Sequence, residues 1–257
     1  MSAVLSVVET NLRVYRSTWK GSVFSAFLSP LLYLASLGFG LGSLVDRGSG
    51  RAVLDGVPYA RFVAPGLLAA TAVQVGVGEA TYPVLGAVVW QRGYLAMIAT
   101  PVRVLDVLVG HATFIVLRML VAVGAFAVVA ALLGALPWTA LAVGVPVAVL
   151  CGLAHVPAVM AYSVRQENDA GFAVVFRLVL VPMFLFSGTF FPVEQLPPAV
   201  RPLAWVTPLW HGTDAVRGLV LGRTDVLLLT GHLAYLLVWT GAGLALARHH
   251  YRRRLVD

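Results

Sequence analysis

From residue 119 to residue 164 the chain carries no Asp, Glu, Lys or Arg, and a run of that length has no place on the wet surface of a soluble domain. A helix crosses the roughly 30 Å hydrocarbon core of a bilayer with about 20 apolar residues at about 1.5 Å each. The run is therefore two crossings, parted by the turn signal Gly134-Ala135-Leu136-Pro137-Trp138. Composition extends the conclusion to the whole chain: only 11% of the 257 residues are charged, against about 25% in an ordinary soluble domain. Too little charge is present to cover a soluble exterior, so much of the outside faces lipid. Nucleic-acid binding, disorder and secreted disulfide scaffolds are excluded together. The sole cysteine, Cys151, excludes an intrachain disulfide and any multi-thiolate metal site.

Gaps between charges delimit the remaining crossings. The expected fold is an all-α polytopic membrane protein, one transmembrane domain over residues 1–257, with six spans at 21–45, 62–82, 107–133, 139–164, 171–191 and 226–247. An even number puts both termini on one side. With the termini inside, Arg13, Arg16, Lys20, Arg92, Arg103, Arg165, Arg248 and the Arg252-Arg253-Arg254 tail are cytoplasmic, while Arg47, Arg51, Arg61, Arg201, Arg217 and Arg223 are outside. That bias predicts cytoplasmic termini in a multi-pass protein of the plasma or inner membrane, and the tail suits an anionic inner leaflet. Trp19, Trp90, Trp138, Trp205 and Trp210 fall near span ends, where amphipathic rings prefer to lie.

The first apolar run is longer than a signal h-region and follows about twenty residues with a pattern of their own, so no cleavable signal peptide is expected. Within residues 1–20, Val4, Val8, Leu12, Tyr15 and Trp19 share an arc of about 80° at helical spacing, beside Glu9, Arg13, Arg16 and Lys20. This predicts an amphipathic helix on the membrane surface, serving either as an anchor for the first span or as a dock for a partner.

Catalytic chemistry finds little footing. A phosphate loop ends in Gly-Lys-Ser/Thr, whereas the only lysine, Lys20, stands in Ser17-Thr18-Trp19-Lys20-Gly21, so the chain does not hydrolyse ATP by itself. An intramembrane serine protease would pair Ser187-Gly188 with His232, but the Gly-x-Ser-Gly pattern of rhomboid proteases needs glycine where Leu185 stands. The histidines at 111, 155, 211, 232, 249 and 250 form no HExxH or comparable ligand cluster, and neither metal nor cofactor is expected in the chain.

Ionisable groups at membrane depth do stand out. Glu79 near the inner end of the second span, Arg118 in the third and Arg177 in the fifth are each expensive in lipid and should face protein or a water-filled path. His111 is seven residues from Arg118 on one helix face, and His155 lies in the fourth span. Two readings stay open: a substrate or gating network, which could serve proton coupling in a secondary transporter, and a buried Glu-Arg pair that fixes helix packing. The packing reading is preferred, because isolated pairs of this kind are commonly structural.

Residues 187–225 read SGTFFPVEQLPPAVRPLAWVTPLWHGTDAVRGLVLGRTD, with proline at 192, 197, 198, 202 and 208. Prolines at that density stop helices after one or two turns, so the segment can enter the bilayer and return but cannot cross it. Two short re-entrant helices are expected in the outer leaflet, around 198–205 and 213–221. The first half of the chain has no counterpart to this segment, which argues against an inverted-repeat secondary transporter.

At these residues the chain resembles the permease subunits of type-2 ATP-binding-cassette exporters. The elements that carry the likeness are Ser187-Gly188, Phe191-Pro192, Leu196-Pro197, Pro208 and Arg217. A second set is Arg92-Gly93-Tyr94-Leu95 through Thr100-Pro101 to Asp106, in which Gln91 replaces the usual acidic residue. Tyr59, Phe62 and Pro65-Gly66 match the opening of the second span. Within the family the chain looks most like the branch of nodulation-factor exporters and daunorubicin-type drug-export permeases. The resemblance implies a homodimer of permeases with two ATPase subunits that carry the ATP and magnesium, and a translocation path for a drug, lipid or lipid-linked glycan at the dimer interface. It would dock the N-terminal helix with Arg13 and Arg16, and the segment containing Trp90, Gln91, Arg92, Gly93, Thr100 and Pro101, on the ATPase, with Arg165 in a smaller second contact. The re-entrant pair would shape the outer exit.

Overall fold

The computed structural model describes residues 3–48, 50–54 and 56–256, without the side chains of 17–27, 29–30, 37, 39, 50 and 51. Trp19, Lys20 and the Arg51 side chain, used above to set an arc and an orientation, lie outside that description. Among the described residues every regular element is helical. Helix α1 (Ala3–Tyr33) runs without interruption into a π-helical turn, Leu34–Leu41, and on to Gly42–Val45. After α2 (Tyr59–Ala80) the chain kinks at Thr81 and continues through Tyr82–Leu85 and a second π turn, Gly86–Trp90. Then come α3 (Gly93–Ile98), α4 (Val104–Leu132), α5 (Ala140–Ser163), α6 (Phe172–Phe186), α7 (Arg201–Val206), α8 (Pro208–Leu221) and α9 (Val226–Leu255). Four helical stretches, Tyr59–Trp90, Val104–Leu132, Ala140–Ser163 and Val226–Leu255, are long and apolar enough to cross a membrane. The chain is thus an all-helical, multi-pass membrane protein.

Helix α2 is the axis of the bundle. Every residue from 62 to 73 is buried, and a helix apolar on all sides belongs in the interior. Helices α4, α5 and α8 and the first π turn surround it. One close approach is among α2, α4 and α5: a methyl group on Gly152 would lie 2.5 Å from Met119 Sδ and 2.9 Å from the Ala72 carbonyl oxygen. In lipid, where no hydrophobic force drives helices together, such small residues let backbones come close enough for dispersion to hold them.

Several boundaries differ from those the charges mark. The helix expected on the membrane surface over 1–20 does not end at Gly21; it is the first part of one continuous helix, and it lies along the start of α4. Val7 packs against Gly110, the Tyr15 ring meets the Phe114 ring edge-on, and Leu12, placed on the apolar arc, stays 42% exposed. At the other end α9 passes residue 247 and runs to Leu255. The reason is the same at both ends: a charge marks where hydrocarbon stops, and a helix need not stop there. Helix α6 ends at Phe186 rather than 191, because Gly188 takes a left-handed conformation, φ 74°, that terminates it. The short helices fall at Arg201–Val206 and Pro208–Leu221. Pro208 occupies the first helical position of α8, where its missing N–H costs nothing, and the Thr207 hydroxyl accepts the Trp210 N–H.

Candidate functional site

Glu79 lies about 30 Å along α2 from Tyr59, one hydrocarbon thickness. At that level Arg118 Nη2 is 2.8 Å from Glu79 Oε1, both side chains being less than one-fifth exposed, and the Arg118 guanidinium lies over the Tyr15 ring at 4.0 Å. The two charges thus satisfy each other, and one aromatic ring of α1 is held with them. His111 does not join this pair. It sits farther toward the start of α4, and its Nδ1 is 2.7 Å from the Tyr94 hydroxyl, while its Nε2 faces the Glu79 backbone without completing a hydrogen bond.

Tyr94 is the buried residue of α3, at 1% exposure. Its ring packs on Tyr251 of α9 at 5.7 Å and edge-on to His111 at 5.8 Å. Burial pushes the Tyr94 phenol well above its usual pKa, the neighbouring Tyr251 hydroxyl opposing that shift, so it remains a neutral hydrogen-bonding group. Around this anchor the expected coupling residues are outward: Trp90, Gln91, Arg92, Thr100 and Pro101 are exposed and Gly93 is half-buried. Arg92, in the left-handed region at φ 51°, makes the sharp entry into α3. Arg165 is exposed in the loop after α5, close enough to His250 of α9 to act on it electrostatically. Arg13 and Arg16 are exposed on α1, Arg13 pairing with Glu9 one turn away at 2.6 Å. All of these lie at one end of the bundle.

At the opposite end Arg217 of α8 gathers the expected exit residues. Its Nε donates to the Phe62 carbonyl at 3.2 Å, and its Nη2 donates to the Gly188 carbonyl at 2.7 Å and to the Thr189 carbonyl at 3.4 Å. Its guanidinium also stacks on the Phe62 ring at 3.9 Å. One side chain therefore fastens the start of α2, the turn after α6 and the rising α8. Burial lowers the Arg217 pKa to about 10, with the Asp214 and Glu194 carboxylates opposing, so it stays charged at neutral pH. Ser187 Oγ donates to the Phe184 carbonyl at 3.1 Å and is 2.8 Å from Thr189 Oγ1, so among the described residues no histidine serves it as a base. Leu196 is buried with Val193 and Ala204, Phe191 and Pro192 are half-buried, and Pro197 is exposed. Pro208 is buried, its carbonyl 3.7 Å from Cys151 Sγ about halfway along α5.

Beside Arg217 lies a cluster that the sequence analysis did not single out. His211 Nδ1 is 2.8 Å from His232 Nδ1, His232 Nε2 is 3.1 Å from Asp214 Oδ2, and His211 Nε2 donates to the Trp205 carbonyl at 2.9 Å. The His211 ring stacks on Tyr235 at 3.8 Å. The one signal available was His211 and Asp214 three apart on a helix face; their partner is twenty-one residues away on α9. His155 Nδ1 donates locally to the Cys151 carbonyl at 2.8 Å. Arg177, on the π-helical turn of α6, is exposed, and among the described residues it has no hydrogen-bond or ion-pair partner. No group of three or more His, Cys, Asp or Glu among the described residues could hold a metal ion.

The structure is a multi-pass helical bundle with an anchored short helix at one end and a proline-broken segment fastened at the other. The chain belongs to the ABC-2 type transporter family, whose model matches residues 2–221. It is 31% identical over 254 residues to Nodulation protein J of Rhizobium leguminosarum bv. viciae, covering 98% of this chain and 95% of that one. It is 32% identical over 242 residues to Nodulation protein J of the bv. trifolii strain, covering 93% and 90%, and 31% identical over 218 residues to that of Rhizobium meliloti (strain 1021), covering 85% and 81%. No solved structure gives a significant match. Membership makes the chain a permease that works with an ATP-binding-cassette ATPase subunit, and not itself an enzyme.

Proposed function

We propose that the chain is the permease of an exporter that moves a hydrophobic or amphipathic molecule (a drug, a lipid or a lipid-linked glycan) out of the cytoplasm or inner leaflet. Two copies pair around the path, each crossing six times with both termini cytoplasmic, and two copies of a separate ATPase subunit supply ATP and magnesium. The first crossing is the later part of the continuous helix that ends at Val45. The fifth is α6 extended by the turn after it, since the Phe190 carbonyl accepts the Tyr59 hydroxyl at 3.0 Å and so reaches the level of the outer end of α2. Helices α7 and α8 form the re-entrant pair: their joint at Thr207-Pro208 meets the middle of α5, and α8 rises from there to Val220 beside Gly144 near the start of α5.

The observation that carries the reading is α3. A helix of six residues cannot be stable alone, yet it is presented with an exposed basic and aromatic rim and bolted through Tyr94 to α4 and α9. ATP binding draws the two ATPases together, a short helix seated in each must follow, and the rigid spans behind it carry the displacement to the path. Arg92→Glu tests this. With the permease still in the membrane and the ATPase still bound, transport-stimulated ATP hydrolysis should be lost. Unchanged stimulation rules out α3 as the coupling element, and failure of any ATPase subunit to co-purify from the native membrane rules out the exporter.

A further inference from the structure

The outer surface of the bundle is not uniform. Along α9 it is largely apolar as far as Leu246, with Leu227, Leu228, Leu237 and Val238 each more than half exposed, as a lipid-facing helix should be. Between α1, α2 and α6 it is different. A cavity of about 460 Å³ opens there, walled by Tyr33, Phe176, Phe184 and Phe190 and holding the polar side chains of Gln74 and Arg177, with the Thr71 hydroxyl turned to the Leu67 carbonyl. Gln74 is the only exposed residue of α2 after Arg61. It stands about 22 Å along α2 from Tyr59, within the hydrocarbon depth and about 8 Å short of Glu79.

An arginine at that depth seeks an anion, and among the described residues none is paired with it. The carboxylate nearest in depth, Glu79, is held by Arg118 at 2.8 Å, and Asp214 is held by His232 at 3.1 Å toward the opposite end. Glu167 and Asp169 stand in the loop before α6, and neither forms an ion pair with Arg177. A second copy of the chain facing this cavity brings the same committed carboxylates. The aromatic walls, for their part, suit an acyl chain or other apolar body, and the depth is that of the headgroup and upper chain of a molecule lying in the inner leaflet.

Resting on the exporter reading, we infer that this cavity receives the exported molecule and that its cargo is an amphipath with an anionic headgroup, a phosphate, sulfate or carboxylate, bound by Arg177 with Gln74 donating beside it. The unpaired guanidinium selects the charge, and the phenylalanines accept the apolar part. Arg177 is thus a specificity residue of the path rather than part of the packing of the bundle.

The test uses the permease with its ATPase subunit in phosphatidylcholine vesicles and three fluorescent probes with one common acyl chain: a phosphate, a neutral glucoside and a trimethylammonium. The phosphate probe should stimulate ATP hydrolysis and be moved at a concentration about tenfold lower than the others, the factor expected of a single charge-assisted contact. Arg177→Gln should remove that preference while leaving the glucoside probe unchanged, and Arg177→Lys should retain most of it. Equal response to all three probes in the unmodified protein, or an equal loss for all three in Arg177→Gln, overturns the assignment. So does a rise in ATP hydrolysis on adding phosphatidylglycerol without any probe that is lost in Arg177→Gln, since the anion would then be bilayer lipid and not cargo. ATP-dependent movement without an anion preference refutes this inference alone; no ATP-dependent movement of any probe refutes the exporter reading as well.

Discussion

Replacing Arg118 with Leu separates the two roles open to the Glu79-Arg118 pair. Both side chains are largely buried, at 15% and 19% exposure, and their contact is a short 2.8 Å. Removing one partner of such a pair leaves a buried charge uncompensated and costs about 3–5 kcal/mol. For a chain of this size that corresponds to a fall in the unfolding midpoint of roughly 10 °C. Glu79→Leu should cost less, because the orphaned guanidinium still lies 4.0 Å over the Tyr15 ring and retains about 1 kcal/mol of cation–π stabilisation there. The double variant, in which two apolar side chains replace the pair, should recover to within about 1 kcal/mol of the unmodified protein. Thermal unfolding of the four detergent-purified proteins, with ATP-driven transport of the reconstituted complexes, provides the measurement. If the pair is packing, stability and transport return together in the double variant. If it gates the path, stability returns and transport does not. The reasoning would be refuted outright by a loss below about 1 kcal/mol for Arg118→Leu, or by additive losses in the double variant, either of which makes the pair inert.

Gly152→Ala should destabilise by about 1–3 kcal/mol, since its new methyl would lie 2.9 Å from the Ala72 carbonyl, which is backbone and cannot rotate away; the comparison is the unfolding midpoint, and Met119→Ala added to it should rescue only the part due to the sulfur at 2.5 Å. At the outer joint, burial, reinforced by the neighbouring His232, lowers the His211 pKa from 6.5 to about 4. Between those values the unfolded chain takes up a proton that the folded chain refuses, so the stability of this joint is complete above about pH 6.5 and is lost as pH falls toward 4. Asp214 adds loss in the same direction at lower pH: although burial opposes it, the hydrogen bond and charge of His232 and the charge of Arg217 hold its carboxyl below the usual 3.8. Unfolding midpoints measured from pH 7.5 down to pH 5 should therefore fall more steeply for the unmodified protein than for His211→Gln, and parallel curves would sink the assignment.

What the sequence could tell depended on whether the signal was local. The absence of charge over 119–164, with its turn signal, located the end of α4 and both ends of α5 to within a few residues, because the cost of a charge in hydrocarbon acts on each residue separately. A left-handed glycine and a missing N–H act just as locally, so the end of α6 before Gly188 and the start of α8 at Pro208 could be read from the sequence, but the expected bounds of 191 and 213 passed over them. Where a helix continued beyond its charges, as at Gly21 and at Arg248, the pattern misled, since backbone hydrogen bonds persist on both sides of the lipid boundary. The partners of the polar groups were less legible still. Glu79 and Arg118 could be expected to seek each other only because so few charges were available. His211 and His232 could not be matched by spacing, nor could Tyr94 with His111 and Tyr251, because each contact depends on how two helices rotate about their axes. That same scarcity makes Arg177 informative. In a soluble protein an unpartnered arginine on the surface means nothing, because water satisfies it. In a chain with 11 acidic residues, with Glu79 already committed to Arg118 and no described residue paired with Arg177, the inference of an anion from outside the chain rests on that scarcity.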